Sequence, residues 1–204
     1  MQDNTVIVFA GDSVTDADKA NTYDRAGNGY VRLVRNYLRA FRPQEWYKVV
    51  NAGISGNTTR DLLARWDKDV AEENPDVIFC LIGINDVWRH FDGLELPVNA
   101  VGEEEFGRNM RAICEKMKGK RAFVLSPYYL ERNRTDEMRA MTERYAAIAR
   151  KTAEEYGFVY IDVQADFDEY MKSRPGQSIS WDRVHPGEVG SMILARAVLR
   201  ALLA

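Results

Sequence analysis

The sequence predicts an α/β fold, a three-layer, doubly wound sheet of five parallel strands with helices on both faces. Three observations predict it. Short runs of β-branched and aromatic residues alternate with longer stretches whose apolar residues recur at helical spacing. One run, Val77–Ile82 (VIFCLI), is apolar throughout, as a central parallel strand buried on both faces requires. No repeat, linker or low-complexity segment interrupts the 204 residues, so 1–204 reads as one domain large enough to bury a full core. The expected strand order is 2-1-3-4-5, the flavodoxin-like winding of such units.

The first strand opens at Val6 in VIVFAGDSVTD and breaks at Gly11, so that Asp12 and Ser13 follow in the turn. Asp16 to Asn28 is polar and glycine-containing, a loop. Tyr30, Val31, Val34, Tyr37, Leu38 and Phe41 then keep helical spacing and stop before Pro43. Trp46 to Asn51 is the second strand, and Gly53, Ser55, Gly56 and Asn57 form a tight loop after it. Thr58 followed by Asp61 fits a capping box for a helix striped by Leu62, Leu63, Trp66 and Val70 and closed by Pro75. Beyond the third strand, Asp86 to Gly102 lacks periodicity and reads as a long functional loop. Phe106, Met110, Ile113 and Met117 line the next helix, ahead of a fourth strand at Ala122–Leu125 and a loop at Tyr128–Arg134. Met138, Met141, Tyr145, Ile148 and Thr152 mark a long helix ending near Gly157. Phe158–Val163 is the fifth strand, with a short helix around Phe167–Met171 behind it. After a loop from Pro175 to His185, a final helix starts from Pro186, a favoured first helical residue.

Composition narrows the function classes. At 46% hydrophobic and 29% charged residues the chain is a soluble globular type. Its net charge of −3 leaves no basic surplus for a phosphate backbone, which argues against nucleic acid. No apolar run approaches the roughly 20 residues of a membrane helix, and no leader of the secretory kind precedes the first strand. Cys80 falls in a predicted strand and Cys114 in a predicted helix, so two buried thiols in a reducing, cytoplasmic compartment are expected. Two histidines and two distant cysteines do not make a metal site, and no metal or cofactor is expected.

In an open α/β sheet, chemistry gathers beyond the carboxyl ends of the strands. Ser13 is thrown off the first of them, although Gly-Asp-Ser is also an ordinary turn. A hydroxyl needs an adjacent base to become a nucleophile. His185, in Trp181-Asp182-Arg183-Val184-His185-Pro186, has an aspartate three residues before it, a spacing that lets the carboxylate reach Nδ1 while Nε2 faces outward. The bland alternative is an Asp182 that merely caps the last helix. His90 lies in the long loop without an evident carboxylate partner and reads as solvated or rim-lining. Acyl transfer also needs donors for the developing oxyanion. Gly53, where a residue without Cβ lets a backbone N–H approach, and the Asn85 amide in Gly83-Ile84-Asn85-Asp86 follow the strands neighbouring the first. Gly53-Ile54-Ser55-Gly56 only superficially resembles a Gly-x-Ser-x-Gly elbow, because its second glycine comes one place early.

Taken in order, Gly11-Asp12-Ser13, Gly53, Gly83-Ile84-Asn85-Asp86 and Asp182-Arg183-Val184-His185 resemble the four blocks of the SGNH, or GDSL-type, hydrolases, across nearly the whole chain. Val14 stands where leucine or isoleucine is usual. The resemblance implies Ser13 as nucleophile, His185 as base, Asp182 as its orienter, and an oxyanion hole from the Ser13 and Gly53 N–H groups and the Asn85 side chain. More narrowly, Asn51 to Asn57, Gly83 to Arg89 and Trp181 to Pro186 resemble the intracellular acetylxylan esterases of this class. That likeness implies a small-molecule ester substrate, O-acetyl groups on xylo-oligosaccharides or related sugars, and a homo-oligomer.

The expected reaction is two-step acyl transfer, in which His185 must be neutral to take the Ser13 proton, so activity rises as the imidazole deprotonates. Substrate-facing candidates are Asp12, Trp88, Tyr128 and Trp181, with Tyr23 and Tyr129 as further aromatic walls, since flat rings suit sugar faces and also serve as packing anchors. Arg89 and Arg132 could meet a charged substrate or be solvated. A thioesterase or lysophospholipase would use the same triad with a longer acyl pocket, and a carbohydrate-binding scaffold would lack catalysis altogether.

Overall fold

A computed structural model of the chain describes residues 5–93 and 100–204. Five strands, β1 (Thr5–Gly11), β2 (Tyr47–Gly53), β3 (Val77–Leu81), β4 (Arg121–Leu125) and β5 (Val159–Ile161), form one parallel sheet in the order β2-β1-β3-β4-β5. That is the 2-1-3-4-5 order expected from the alternation of patterns. The helices are α1 (Ser13–Asp16), α2 (Tyr30–Phe41), α3 (Thr59–Asp69), α4 (Ile84–Trp88), α5 (Glu103–Met117), α6 (Glu137–Glu155), α7 (Val163–Met171) and α8 (Glu188–Leu202). Helices α2, α7 and α8 pack as one group and α3, α5 and α6 as another, giving the two outer layers.

All five residues of β3 are buried, which is why that run carries no polar alternation. Phe9, Phe79 and Phe123 lie in register across β1, β3 and β4 and stack at 5.0 and 4.4 Å between ring centres. A slip of one residue would turn each ring to the opposite face, so this ladder fixes the register of the central strands. The register also aligns Gly11 with Gly53 and with Leu81. The chain therefore leaves β1, β2 and β3 at one level, and the three following loops meet above that edge.

Several boundaries differ from expectation. The loop expected from Asp86 begins inside helix α4, whose five residues are too few to display a period; residues 94–99 of that stretch, Pro97 included, lie outside the described residues. Ser13–Asp16 is likewise a single helical turn inside the stretch read as turn and loop, and Lys19–Asn21 forms a further 3₁₀ turn. Helix α7 starts at Val163, capped by the Asp162 carboxylate on Ala165 N–H, and shortens β5 to three residues. Helix α8 starts at Glu188 rather than Pro186; Pro186 instead packs against Gly190, where a Cβ would stand 2.6 Å from its own. The capping box at Thr58 is present, with Asp61 accepting from both the N–H and the hydroxyl of Thr58. Cys80 and Cys114 are buried and unbridged, and burial pushes both thiols up, Cys114 to about 12. Among the described residues, no helix is long and apolar enough to cross a membrane.

Candidate active site

The turn after β1 is built by three consecutive residues. At Gly11 any Cβ would come within 2.3 Å of the Thr15 hydroxyl and 2.5 Å of the Leu81 carbonyl, so the strand can pass there only as glycine. Asp12 caps α1, its Oδ1 accepting from Val14 N–H at 3.0 Å. Ser13 is consequently the first residue of the helix, and its N–H has no partner among the described residues.

His185 reaches this serine from the other end of the chain. Its Nε2 lies 2.7 Å from Ser13 Oγ, and its Nδ1 lies 2.5 Å from Asp182 Oδ2. The other oxygen of Asp182 accepts from Ser180 Oγ, Val184 N–H and His185 N–H at 3.0, 3.0 and 2.8 Å. Burial on its own would raise the Asp182 carboxyl; the His185 and Val184 hydrogen bonds outweigh it and hold the group below its ordinary value. A carboxylate that stays ionised fixes the imidazole with Nδ1–H toward it and a lone pair toward Ser13. Arg183 adopts the left-handed conformation between them (φ 67°), which bends the segment tightly enough for the contact.

The loop after β4 holds that segment in place. Tyr128 OH donates to Val184 C=O at 2.9 Å, Leu130 N–H donates to Arg183 C=O at 2.8 Å, and the Arg183 guanidinium pairs with Glu131 while lying over the Tyr129 ring.

The third party comes from the ends of β2 and β3. Asn85, on α4, is 4% exposed, and its Nδ2 donates one hydrogen to Asn57 C=O at 3.0 Å, leaving the second for the cleft it shares with Ser13 and His185. Asp86 beside it anchors α4, accepting from Thr59 N–H and Oγ1; burial pushes its carboxyl up to about 7 against those bonds. Gly53 does not present a free amide. Its N–H donates to Asn51 Oδ1 at 3.0 Å, and a Cβ there would stand 2.2 Å from Asp16 N. Gly53 is therefore glycine so that β2 can pack under α1. The backbone that does face Ser13 and Asn85 is three residues on, at Gly56, which lines the same cleft at φ +82° with an N–H that has no partner among the described residues.

A serine, an oriented imidazole and an amide donor thus converge on one cleft. Residues 9–193 match the model of the GDSL-like Lipase/Acylhydrolase family. The chain belongs to that family. It is 39% identical over 203 residues to an acetylxylan esterase of Geobacillus stearothermophilus, covering 96% of this chain and 93% of that protein. The solved structure of Axe2, an acetylxylan esterase of the same organism, superposes with a TM-score of 0.92 at 39% identity, over 98% of this chain and 95% of that one. Catalytic mutants of Axe2, with a serine, a histidine or an aspartate replaced by alanine, match equally well in fold. LAE5, an α/β hydrolase from the metagenome of Lake Arreo, Spain, superposes at 0.91 with 38% identity, over 98% and 96% of the two chains.

In this GDSL-family chain the cleft, of about 430 Å³, is lined by Ser13, Ser55, Gly56, Asn85, Trp88, Arg89, Asp92 and His185. Trp88 stands at its wall with its ring 5.9 Å from that of His185, and Arg89 pairs with Asp92 at 2.8 Å. Trp181 is 85% exposed and lines a second depression behind His185. Two of the residues expected to face substrate are instead interior. Asp12 is 1% exposed beside Ser13, and Tyr128 is 2% exposed with its hydroxyl spent on Val184. Tyr129 is buried under Arg183, Tyr23 is fully exposed, and Arg132 donates to Lys172 C=O. His90 is exposed and touches Val101 C=O. Ser55 enters the cleft, but its hydroxyl donates to Asp16 Oδ2 and makes no hydrogen bond to a histidine among the described residues. Among the described residues, no three His, Cys, Asp or Glu side chains are grouped to hold a metal ion.

Proposed function

We propose that the chain is a serine esterase that removes acetyl groups from acetylated xylo-oligosaccharides or related sugars. The observation that carries the reading is the continuous hydrogen-bonded line from Asp182 Oδ2 through His185 to Ser13 Oγ. In the first step Ser13 Oγ attacks the acetyl carbonyl carbon while His185 Nε2 takes its proton. The carbonyl oxygen, now anionic, is held by the N–H groups of Ser13 and Gly56 and the free amide hydrogen of Asn85, and Gly56 replaces Gly53 in that role. The tetrahedral intermediate collapses as His185 returns the proton to the sugar alkoxide, leaving acetyl on Ser13. Water, deprotonated by the same imidazole, then attacks the acyl-enzyme, and His185 returns that proton to Ser13 Oγ as acetate leaves.

The small acyl group is supported by the cleft lining beside Ser13, where, among the described residues, Trp88, Arg89 and Asp92 offer one ring and an ion pair rather than an apolar channel. A lysophospholipase or thioesterase would need such a channel to bury a long chain. Trp88 and Trp181 remain the substrate-facing aromatic candidates. Cytoplasmic residence is supported by the two buried free thiols. A homo-oligomer is supported by the exposed Trp181, Val189 and Met192, of which Trp181 and Val189 line one depression and Met192 lies three residues beyond Val189 on α8. A single folded unit is supported by one continuous core cluster.

Acetate release from acetylated xylo-oligosaccharides, other acetylated sugars and p-nitrophenyl esters of increasing length tests the reading. It expects turnover to peak at acetyl and to favour the sugars; a peak at octanoate or beyond refutes it.

A further inference from the structure

Arg65 lies on α3, outside the cleft, with its side chain only 13% exposed. A guanidinium carries five N–H donors in a fixed plane and loses much if they are left unpaired. Here each edge of that plane is spent on a different element. Nη2 donates to Gly11 C=O at 2.9 Å, the carbonyl that ends β1 one residue before Asp12 and two before Ser13. Nη1 donates to Ala52 C=O at the end of β2, at 2.8 Å, and to Asp69 one turn along α3, at 3.1 Å. Nε donates to Asn57 Oδ1 at 2.6 Å.

The bond to Asn57 is the informative one. Asn57 follows Gly56, and its own backbone C=O is the acceptor that orients the Asn85 amide. Among the described residues its other tether is its N–H on Ile54 C=O at 3.2 Å. One guanidinium thus ties the strand that delivers the nucleophile to the loop that sets both Gly56 N–H and Asn85 Nδ2, and it touches no member of the Ser13–His185–Asp182 line.

We infer that Arg65 is a positioning residue for the oxyanion donors, acting through Asn57 on Gly56 and Asn85. The inference rests on the serine-esterase reading above. Losing one oxyanion donor costs about 10²–10³ in kcat. Arg65→Met, which keeps the apolar stem and removes every donor, is expected to lower kcat about 100-fold with KM within twofold and the pH midpoint of kcat unmoved. Lysine has no fork to span two carbonyls and Asn57 together, so Arg65→Lys is expected to rescue little.

The deciding test is a double-mutant cycle with Asn85→Ala on p-nitrophenyl acetate, with active sites counted by phosphonate titration. Coupling is expected: Arg65→Met should slow the Asn85→Ala enzyme by no more than about 5-fold. A fully multiplicative loss, or a titrated Arg65→Met enzyme within threefold of wild type, overturns the inference. Should Arg65→Met fail to fold, Asn57→Ala removes only the last link and must show the same split and the same coupling. Ser13→Ala distinguishes the two levels: if it is inert while Arg65→Met is fully active, only this inference falls, and if it is fully active the serine-esterase reading itself falls.

Discussion

Replacing Asp182 by asparagine should disable the enzyme while leaving it folded. Asp182 Oδ1 faces three donors, the Ser180 hydroxyl and the N–H groups of Val184 and His185, whereas Oδ2 faces only His185 Nδ1. An asparagine amide has one acceptor end and one donor end. Three donors against one fix its orientation, with the carbonyl oxygen kept on the Oδ1 side and the NH₂ turned to the imidazole. Nδ1 must then accept, which places the ring proton on Nε2, against Ser13 Oγ at 2.7 Å. A histidine in that tautomer cannot take the serine proton. Triads with this defect lose about four decades in kcat, roughly 5 kcal/mol of transition-state stabilisation. The packing around the substituted group is unchanged, so the melting temperature should fall by no more than a few degrees. Initial rates on p-nitrophenyl acetate, beside a thermal melt, measure both. An Asp182→Asn enzyme that keeps its kcat within tenfold of wild type would refute the account of how His185 is oriented.

The two glycines of the β2 loop should separate. Gly53→Ala sets a Cβ 2.2 Å from Asp16 N and should destabilise the fold by several kcal/mol, read as a large loss of melting temperature, whereas Gly56→Ala meets only the Arg89 guanidinium at 3.7 Å. Gly56→Ala instead strains a backbone at φ +82° by about 1 kcal/mol and moves the amide that faces Ser13, so it should fold and lose at least tenfold in kcat; equal kcat in wild type and Gly56→Ala would contradict the reassignment. Burial pushes the Asp12 carboxyl from 3.8 up to about 7, opposed by the Val14 N–H bond. Between those values the folded protein holds a proton that the unfolded chain has released, so stability falls as pH rises from about 4 to about 7, by up to about 4 kcal/mol. Asp12→Asn keeps the bond to Val14 and alters only Oδ2, which has no partner among the described residues, so its melting temperature should decline less between pH 5 and 8 than that of wild type. Parallel curves would show that Asp12 does not titrate in this range.

What was legible in the sequence is what short-range pattern controls. The apolar runs and helical stripes point to the strand order, which sets Ser13 at the sheet edge; His185, 172 residues on, is brought to it by a segment that the loop after β4 holds in place. Asp182 and His185 were readable as a pair because three residues suffice to close their contact. The expected oxyanion donor was Gly53, and the geometry that favours Gly56 for the proposed role was not readable from the sequence. Gly53 ends β2 and Gly56 lies three residues on; what separates them is the Asn51 side chain, which consumes the Gly53 N–H, while the Gly56 N–H has no partner among the described residues. Asp12 and Tyr128 have polar tips that suggest solvent, yet both are buried by the fold around them, Tyr128 with its hydroxyl on a carbonyl 56 residues away. Helix α4 escaped because five residues cannot show a period. Arg65 escaped for a related reason: on a polar helix face, an arginine that clamps three elements looks like one that is solvated.

The most direct measurement is to label the enzyme with a fluorophosphonate and locate the adduct by peptide mass spectrometry. Two serine hydroxyls line the cleft, Ser13 with His185 beside it and Ser55 bonded to Asp16. The account predicts one adduct per chain, on Ser13, formed more slowly when acetylated substrate is present and absent from Ser13→Ala. An adduct on Ser55, or undiminished labelling of Ser13→Ala, would contradict it.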